Sequence, residues 1–256
     1  MEQSFERFLS SGWLSESQVQ FSSGLSAYQY QQPFNIIAKF ISQDGKALDW
    51  GSGNGHLSTF LIYNRQRTTA YGFGETSAPA SIAHDPLFEF IAADTTEPVK
   101  LPFSDKAFDL VLSMGVLEHV HESGGCQLAS LKEIHRILKP GGHFLCFHFP
   151  YSGSWVENLH KVIMPLKKHK SYVHTKKFSR GDVRGLTNAA GFVLKEWGRY
   201  NFLPRNFSRT LSASMVNSPK VVACFNLLDG FLTKIFPCLC NQSYFIAQKN
   251  NNIPAP

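Results

Sequence analysis

Ala47 to Ser58 reads ALDWGSGNGHLS, an apolar run that ends in an acid and passes into three alternating glycines. Leu48 closes a buried strand, Asp49 stands at its carboxyl end, and Gly51, Gly53 and Gly55 permit a sharp turn. Glycine lacks a Cβ, so its backbone reaches positive φ and lets a ligand come close. Beyond the turn Leu57, Phe60 and Leu61 recur at i, i+3 and i+4 and start a helix. Strand, glycine turn and helix together make a cradle of nucleotide size at the end of a parallel sheet. A dinucleotide fingerprint spaces its glycines as Gly-x-Gly-x-x-Gly. Counted from Gly51 and Gly53, the last of those places holds His56, and the turn reads Asp-x-Gly-x-Gly-x-Gly instead.

The segments downstream follow in a consistent order. Thr68 to Gly74 (TTAYGFG) reads as a second strand, and Glu75 after it is placed to accept hydrogen bonds from ribose hydroxyls. Phe88 to Asp94 (FEFIAAD) reads as a third strand ending in an acid suited to an adenine amino group, with Thr95 beside it. Leu101 to Val120 (LPFSDKAFDLVLSMGVLEHV) carries a polar turn, a fourth strand from Phe108 and an abrupt stop at Gly115. Leu131 to Pro150 (LKEIHRILKPGGHFLCFHFP) supplies an amphipathic helix, closed by Pro140 and a Gly141 cap, and then a fifth strand.

Taken together these stretches resemble the class I S-adenosylmethionine-dependent methyltransferases, in particular the family that includes ubiquinone and menaquinone biosynthesis enzymes. The glycine turn corresponds to motif I of that family; residues 45–150 carry the resemblance, and FSRGDVRGLTNAAGF (Phe178 to Phe192) extends it. It implies an α/β, Rossmann-like fold with a doubly wound, mostly parallel seven-stranded sheet, whose last strand runs antiparallel beside the fifth. It also implies S-adenosyl-L-methionine as cofactor, with Asp49, Gly51, Ser52, Gly53, Gly55, Glu75, Asp94, Thr95, Ser113, Met114 and Gly115 around it. In the family the ribose-binding acid directly ends the second strand; here Gly74 holds that place and Glu75 comes one residue late.

Within this frame the chain divides into an N-terminal helical segment (1–44), a cofactor-binding core (45–150) and a last part of the same domain (151–256) with a substrate lid, the remaining strands and a long helix. In the first segment Phe34, Ile36, Ile37, Phe40 and Ile41 form an apolar stripe that covers one face of the sheet, and Tyr28, Tyr30 and Phe34 either pack with it or form a lid. Ser179 and Asp182 have the spacing of a capping box that opens the helix before a strand at Val193 to Asn201; another strand follows at Ser243 to Gln248.

Composition narrows the partners. With 256 residues, 43% hydrophobic and 17% charged, the chain can bury a substantial core. No apolar leader and no long uncharged run point to secretion or a membrane span, and five scattered cysteines make no disulfide framework or metal site, so the cytoplasm is the expected compartment. The net charge of +6 is modest, and SMGVLEHV after the fourth strand has no proline where base N-methyltransferases carry an Asp/Asn-Pro-Pro-aromatic turn, which disfavours nucleic acid.

Methyl transfer asks the protein to hold nucleophile, methyl and leaving sulfur in line. His119, His148 and Tyr151 follow the fourth and fifth strands and are the candidates for a general base. The basic stretch Leu159 to Arg184 suits an anionic acceptor, an acidic lipid surface or simply a solvated face. Val221, Phe225, Leu228, Leu232, Ile235 and Leu239 stripe a helix over 219–239, which packs on the domain, pairs two subunits or lies on a bilayer. The expected function is methylation of a hydroxyl, a carboxyl oxygen or an amine on a small metabolite, natural product or glycan precursor. A lipid-linked acceptor, a nicotinamide-dependent oxidoreductase and a non-catalytic scaffold protein are the alternatives.

Overall fold

At the centre of the sheet lies β1 (Lys46–Trp50), paired in parallel with β2 (Arg67–Gly72) on one side and β4 (Phe108–Met114) on the other, so that Leu48 meets Thr69 and Val111. Seven strands follow the order β3-β2-β1-β4-β5-β7-β6, with β3 (Phe88–Ala92), β5 (Leu138–Pro150), β6 (Phe192–Tyr200) and β7 (Gln242–Lys249). Only β7 runs against its neighbours, inserted between β5 and β6 as expected. A computed structural model describes residues 3–14, 19–73, 79–163, 174, 176–205 and 211–250. Glu75 and residues 164–173 and 175 of the basic stretch 159–184 lie outside the described residues.

Alternation along each strand sends side chains to two separate cores. Leu48, Trp50, Val111 and Phe144 pack under α5 (Gln127–Ile137) and α7 (Arg180–Ala189). Ala47, Leu110, Leu112 and Phe147 pack under α1 (Gln3–Leu9), α3 (Gln31–Ile37) and α4 (His56–Tyr63). The second core is strongly aromatic: Phe34 stacks on Phe60 with centroids 4.3 Å apart, and Phe8 meets Phe60 edge-on at 5.2 Å. Tyr30 and Phe34 are buried in this packing, where such ring pairs add about 0.5–1.5 kcal/mol beyond their burial.

Two expectations about helix ends need correction. The helix before β5 stops at Ile137 because Leu138 already has extended backbone (φ −75°, ψ 140°); Pro140 and Gly141 sit inside β5, at a register shift against β4. The long helix α9 (Pro219–Ile235) ends earlier than 239, and Pro237 to Leu239 form a separate short turn. It follows α8 (Ala213–Val216) and touches α2 (Gly24–Ala27), while α6 (Trp155–Ile163) follows β5. The capping box is present as read: Ser179 Oγ accepts from Asp182 N at 3.2 Å, and Asp182 Oδ2 accepts from Ser179 N at 2.7 Å.

Candidate functional site

The chain leaves β1 toward β2 and leaves β4 toward β5, so a crevice opens between β1 and β4 outside their carboxyl ends. A cleft of about 470 Å³ lies there, walled by Gly51 and Gly53 of the turn, Tyr71 at the end of β2, Asp94 after β3, and Gly115 and His119 after β4. That volume falls in the usual small-molecule range of about 300–1,000 Å³.

The glycine turn is held rigidly. Tyr71 O accepts from Gly51 N at 2.7 Å and from Ser52 N at 3.1 Å, and Ser52 O accepts from Gly55 N at 2.8 Å. Those amides are committed within the fold, so at these positions the turn offers a ligand space rather than amide donors. Gly51 has φ +79°, and a Cβ there would collide with Val116; Gly53 has φ +49° and open space around it. Ser52 Oγ is buried with no hydrogen-bond partner among the described residues, a polar atom left for a ligand at the edge of the turn.

Two carboxylates lie near the turn, Asp94 in the cleft wall and Asp49 behind it. Asp49 is buried behind the turn, where its Oδ2 accepts from Ser58 Oγ at 2.6 Å. Burial pushes its carboxyl up to about 6 against the opposing pull of the Ser58 hydrogen bonds. Asp94 Oδ1 accepts from both Thr96 N and Thr96 Oγ1 at 2.7 Å, which holds it below the usual carboxylate range. Thr95 beside it is exposed, and Ser113 is buried at the end of β4.

The three general-base candidates separate. His119 reaches the cleft; its Nδ1 meets Glu122 Oε1 at 3.0 Å and its Nε2 lies 3.8 Å from Glu118 Oε1. Its ring stacks on His174 with centroids 5.5 Å apart, and His174 Nδ1 meets Glu157 Oε1 at 2.8 Å. Glu118, enclosed next to this pair, is pushed up to about 7 by burial. His148 does not line the cleft. It sits at φ +56° in the aromatic core, where Tyr30 packs against it at 4.9 Å and against His56 at 5.1 Å. Burial lowers His148 to about 3 and His56 to about 4, and His56 Nε2 faces Met114 Sδ at 3.4 Å. Tyr151 is engaged elsewhere: its hydroxyl accepts from Arg199 Nη1 at 3.2 Å, and its ring meets Trp197 edge-on.

Sequence reasoning missed Glu118, His174 and His56. Glu118 had a visible signal, an acid flanked by Leu117 and Val120, both buried. His174 lies 55 positions from His119, and no local pattern joins them.

The residues fit S-adenosylmethionine on these observations: a glycine-floored cleft for the adenosine, an orphaned serine hydroxyl by the turn, and Asp94 in the wall with Asp49 behind the turn as acids for a ligand bearing positive charge.

Comparison with known proteins bears on the same residues. Residues 48–146 match the family described as "Methyltransferase domain". The chain is similar to "Uncharacterized protein YafE" of Escherichia coli, 31% identical over 94 residues, covering 37% of this chain and 42% of that protein. It thus spans less than half the length of that relative. It is also similar to "Ubiquinone/menaquinone biosynthesis C-methyltransferase UbiE" of Bartonella tribocorum, 26% identical over 59% of this chain and 71% of the relative. Among solved structures, an S-adenosylmethionine-dependent methyltransferase from Mesorhizobium loti superposes with a TM-score of 0.57 at 15% identity, covering 88% of this chain and all of the other (100%). At that identity the likeness establishes the fold.

Proposed function

We propose that this chain, a member of the class I methyltransferases through residues 48–146, transfers the methyl group of S-adenosylmethionine to a small-molecule acceptor. The observation that carries the reading is the cleft at the β1/β4 reversal, floored by Gly51 and Gly53 and walled by Asp94, with Asp49 buried behind the turn. When bound, the cofactor supplies a methyl group already activated by its sulfonium. The chain's own residues then have positional work. Asp49 orients the ammonium of the methionine portion, Asp94 takes the adenosine end, and the β4 exit at Ser113, Met114 and Gly115 borders the transfer site.

His119 is the residue best placed to accept a proton from a hydroxyl or ammonium acceptor. Its Nδ1, engaged by the Glu122 carboxylate, keeps that nitrogen protonated and leaves Nε2 the basic one. Such a base contributes about 10²–10⁴-fold where proton removal limits the rate. A hydroxyl, carboxyl oxygen or amine acceptor fits this arrangement. The test is incubation with labelled S-adenosylmethionine and fractionated metabolite extract, followed by mass spectrometry. Label in a discrete small molecule together with S-adenosylhomocysteine supports the proposal. Cofactor binding without turnover on any fraction would replace it with a scaffold role.

A further inference from the structure

We infer that α9 is a docking helix that lays its outward face on a lipid surface rich in anionic headgroups. The first turns of the helix pack Val222 and Phe225 against Leu25, but from Asn226 onward it is inside out relative to an ordinary amphipathic helix. Its inward side carries the polar groups: Asp229 Oδ2 lies 3.2 Å from Arg205 Nη2, and Asp229 Oδ1 accepts from Leu203 N at 2.7 Å. Asn226 Oδ1 accepts from Arg205 Nη1 at 2.8 Å, and Thr233 Oγ1 accepts from Phe202 N at 3.3 Å. At about 100° per residue, Leu227, Phe231, Ile235 and Leu228 fall together on the roughly opposite side. They are 78%, 59%, 50% and 49% exposed, and Phe236 and Leu239 beyond the helix end are exposed as well. Scattered exposed apolar residues are ordinary, whereas a contiguous set marks a contact surface.

Charge decides what the contact is. Across residues 211–241 the one acid is Asp229, and it is buried. Lys220 and Lys234 are exposed, so the outward surface is apolar and cationic with no acid on it. A second copy of the chain would set lysines against lysines. It would also bury only some six large apolar side chains, against about 20–30 residues a side in a stable interface. An anionic bilayer complements both properties, with apolar side chains entering the headgroup boundary and lysines meeting phosphates. No helix among the described residues is long and apolar enough to cross a membrane, so the contact is superficial.

The location gives the contact a purpose. Pro150, Gln242 and Tyr200 align at one end of the sheet, and α9 is tethered by Phe202 and Leu203 just beyond β6. That is the end at which the cleft opens, so a docked α9 holds the cleft's end of the sheet close to lipid. The inference does not depend on the proposed reaction and survives its failure.

Co-sedimentation of the full chain with vesicles tests it. The chain is expected to pellet with phosphatidylcholine vesicles containing phosphatidylglycerol, and much less with phosphatidylcholine alone. Leu227→Glu with Phe231→Glu should weaken that binding about tenfold or more while leaving the melting temperature unchanged. Lys220→Gln with Lys234→Gln keeps the apolar face and should abolish the preference for phosphatidylglycerol; it carries the test if the first variant is misfolded. A native chain that stays in the supernatant with both vesicles overturns the inference. So does a dimer in sedimentation velocity that the Leu227→Glu, Phe231→Glu variant dissolves.

Discussion

Single residues in the turn separate binding from folding. Gly53 has space around its α-carbon although φ is +49°, so Gly53→Arg should fold with a strain of about 1–2 kcal/mol while its side chain fills the cleft. Calorimetry should then detect no S-adenosylmethionine binding, and tight binding by this variant would displace the site. Asp49 adds a pH dependence whose sign is fixed by burial. Its carboxyl is raised to about 6 from an ordinary 3.8, so between those values the folded chain binds more protons than the unfolded chain. The ligand-free fold therefore loses stability as pH rises through that window, by about 3 kcal/mol at most, and stays at the lower level above it. A positively charged ligand favours the ionised form, so affinity should fall up to about tenfold per pH unit below about 6. Asp49→Asn should flatten that profile, weaken binding at neutral pH and raise the melting temperature of the ligand-free protein. A variant that keeps the native pH profile would place the titrating group elsewhere.

At the scale of elements, local signals were legible where the cause is local. Ser179 and Asp182 cap α7 through atoms three residues apart, and Ser179→Ala should cost about 1 kcal/mol in denaturant-induced unfolding without changing cofactor affinity. The glycine turn and the span of β4, from Phe108 to the stop at Gly115, follow likewise from short motifs, whereas the pairing order was legible only through the family resemblance. α9 shows where this fails. Its stripe of Val221, Phe225, Leu228, Leu232, Ile235 and Leu239 is a correct periodicity, but period alone does not say which side meets the protein. The deciding partner, Arg205, comes from 24 residues upstream and turns Asp229 inward, leaving Leu228, Ile235 and Leu239 exposed. Breaking that pair is the sharper probe of the element. Asp229→Ala leaves the Arg205 guanidinium buried without its counterion and should cost about 3–5 kcal/mol, far more than a surface ion pair. A loss under about 1 kcal/mol would mean that α9 docks by other contacts. The same distance problem hid His174 and the enclosed His56–His148 neighbourhood, whose residues meet only once the sheet is assembled.

For the whole molecule, the cleft joins parts that are otherwise packed in different cores. Tyr71 belongs to the core under α5 and α7, whereas α4, which starts at the turn, belongs to the aromatic core under α1 and α3. A ligand that contacts the turn, Asp94 and the β4 exit at once is held by both halves and by neither alone. Its binding energy should therefore appear in global unfolding instead of in one loop. At a free concentration of a hundred times its dissociation constant, such a ligand adds about 2.7 kcal/mol to the folded state. For a chain of this size each kcal/mol moves the midpoint about 2–4 °C, so S-adenosylmethionine should raise the melting temperature by about 5–10 °C. Nicotinamide dinucleotides, which need a glycine where His56 stands, should not. The reverse order of protection would turn the cleft over to hydride transfer, and equal indifference to both ligands would empty it of a nucleotide role.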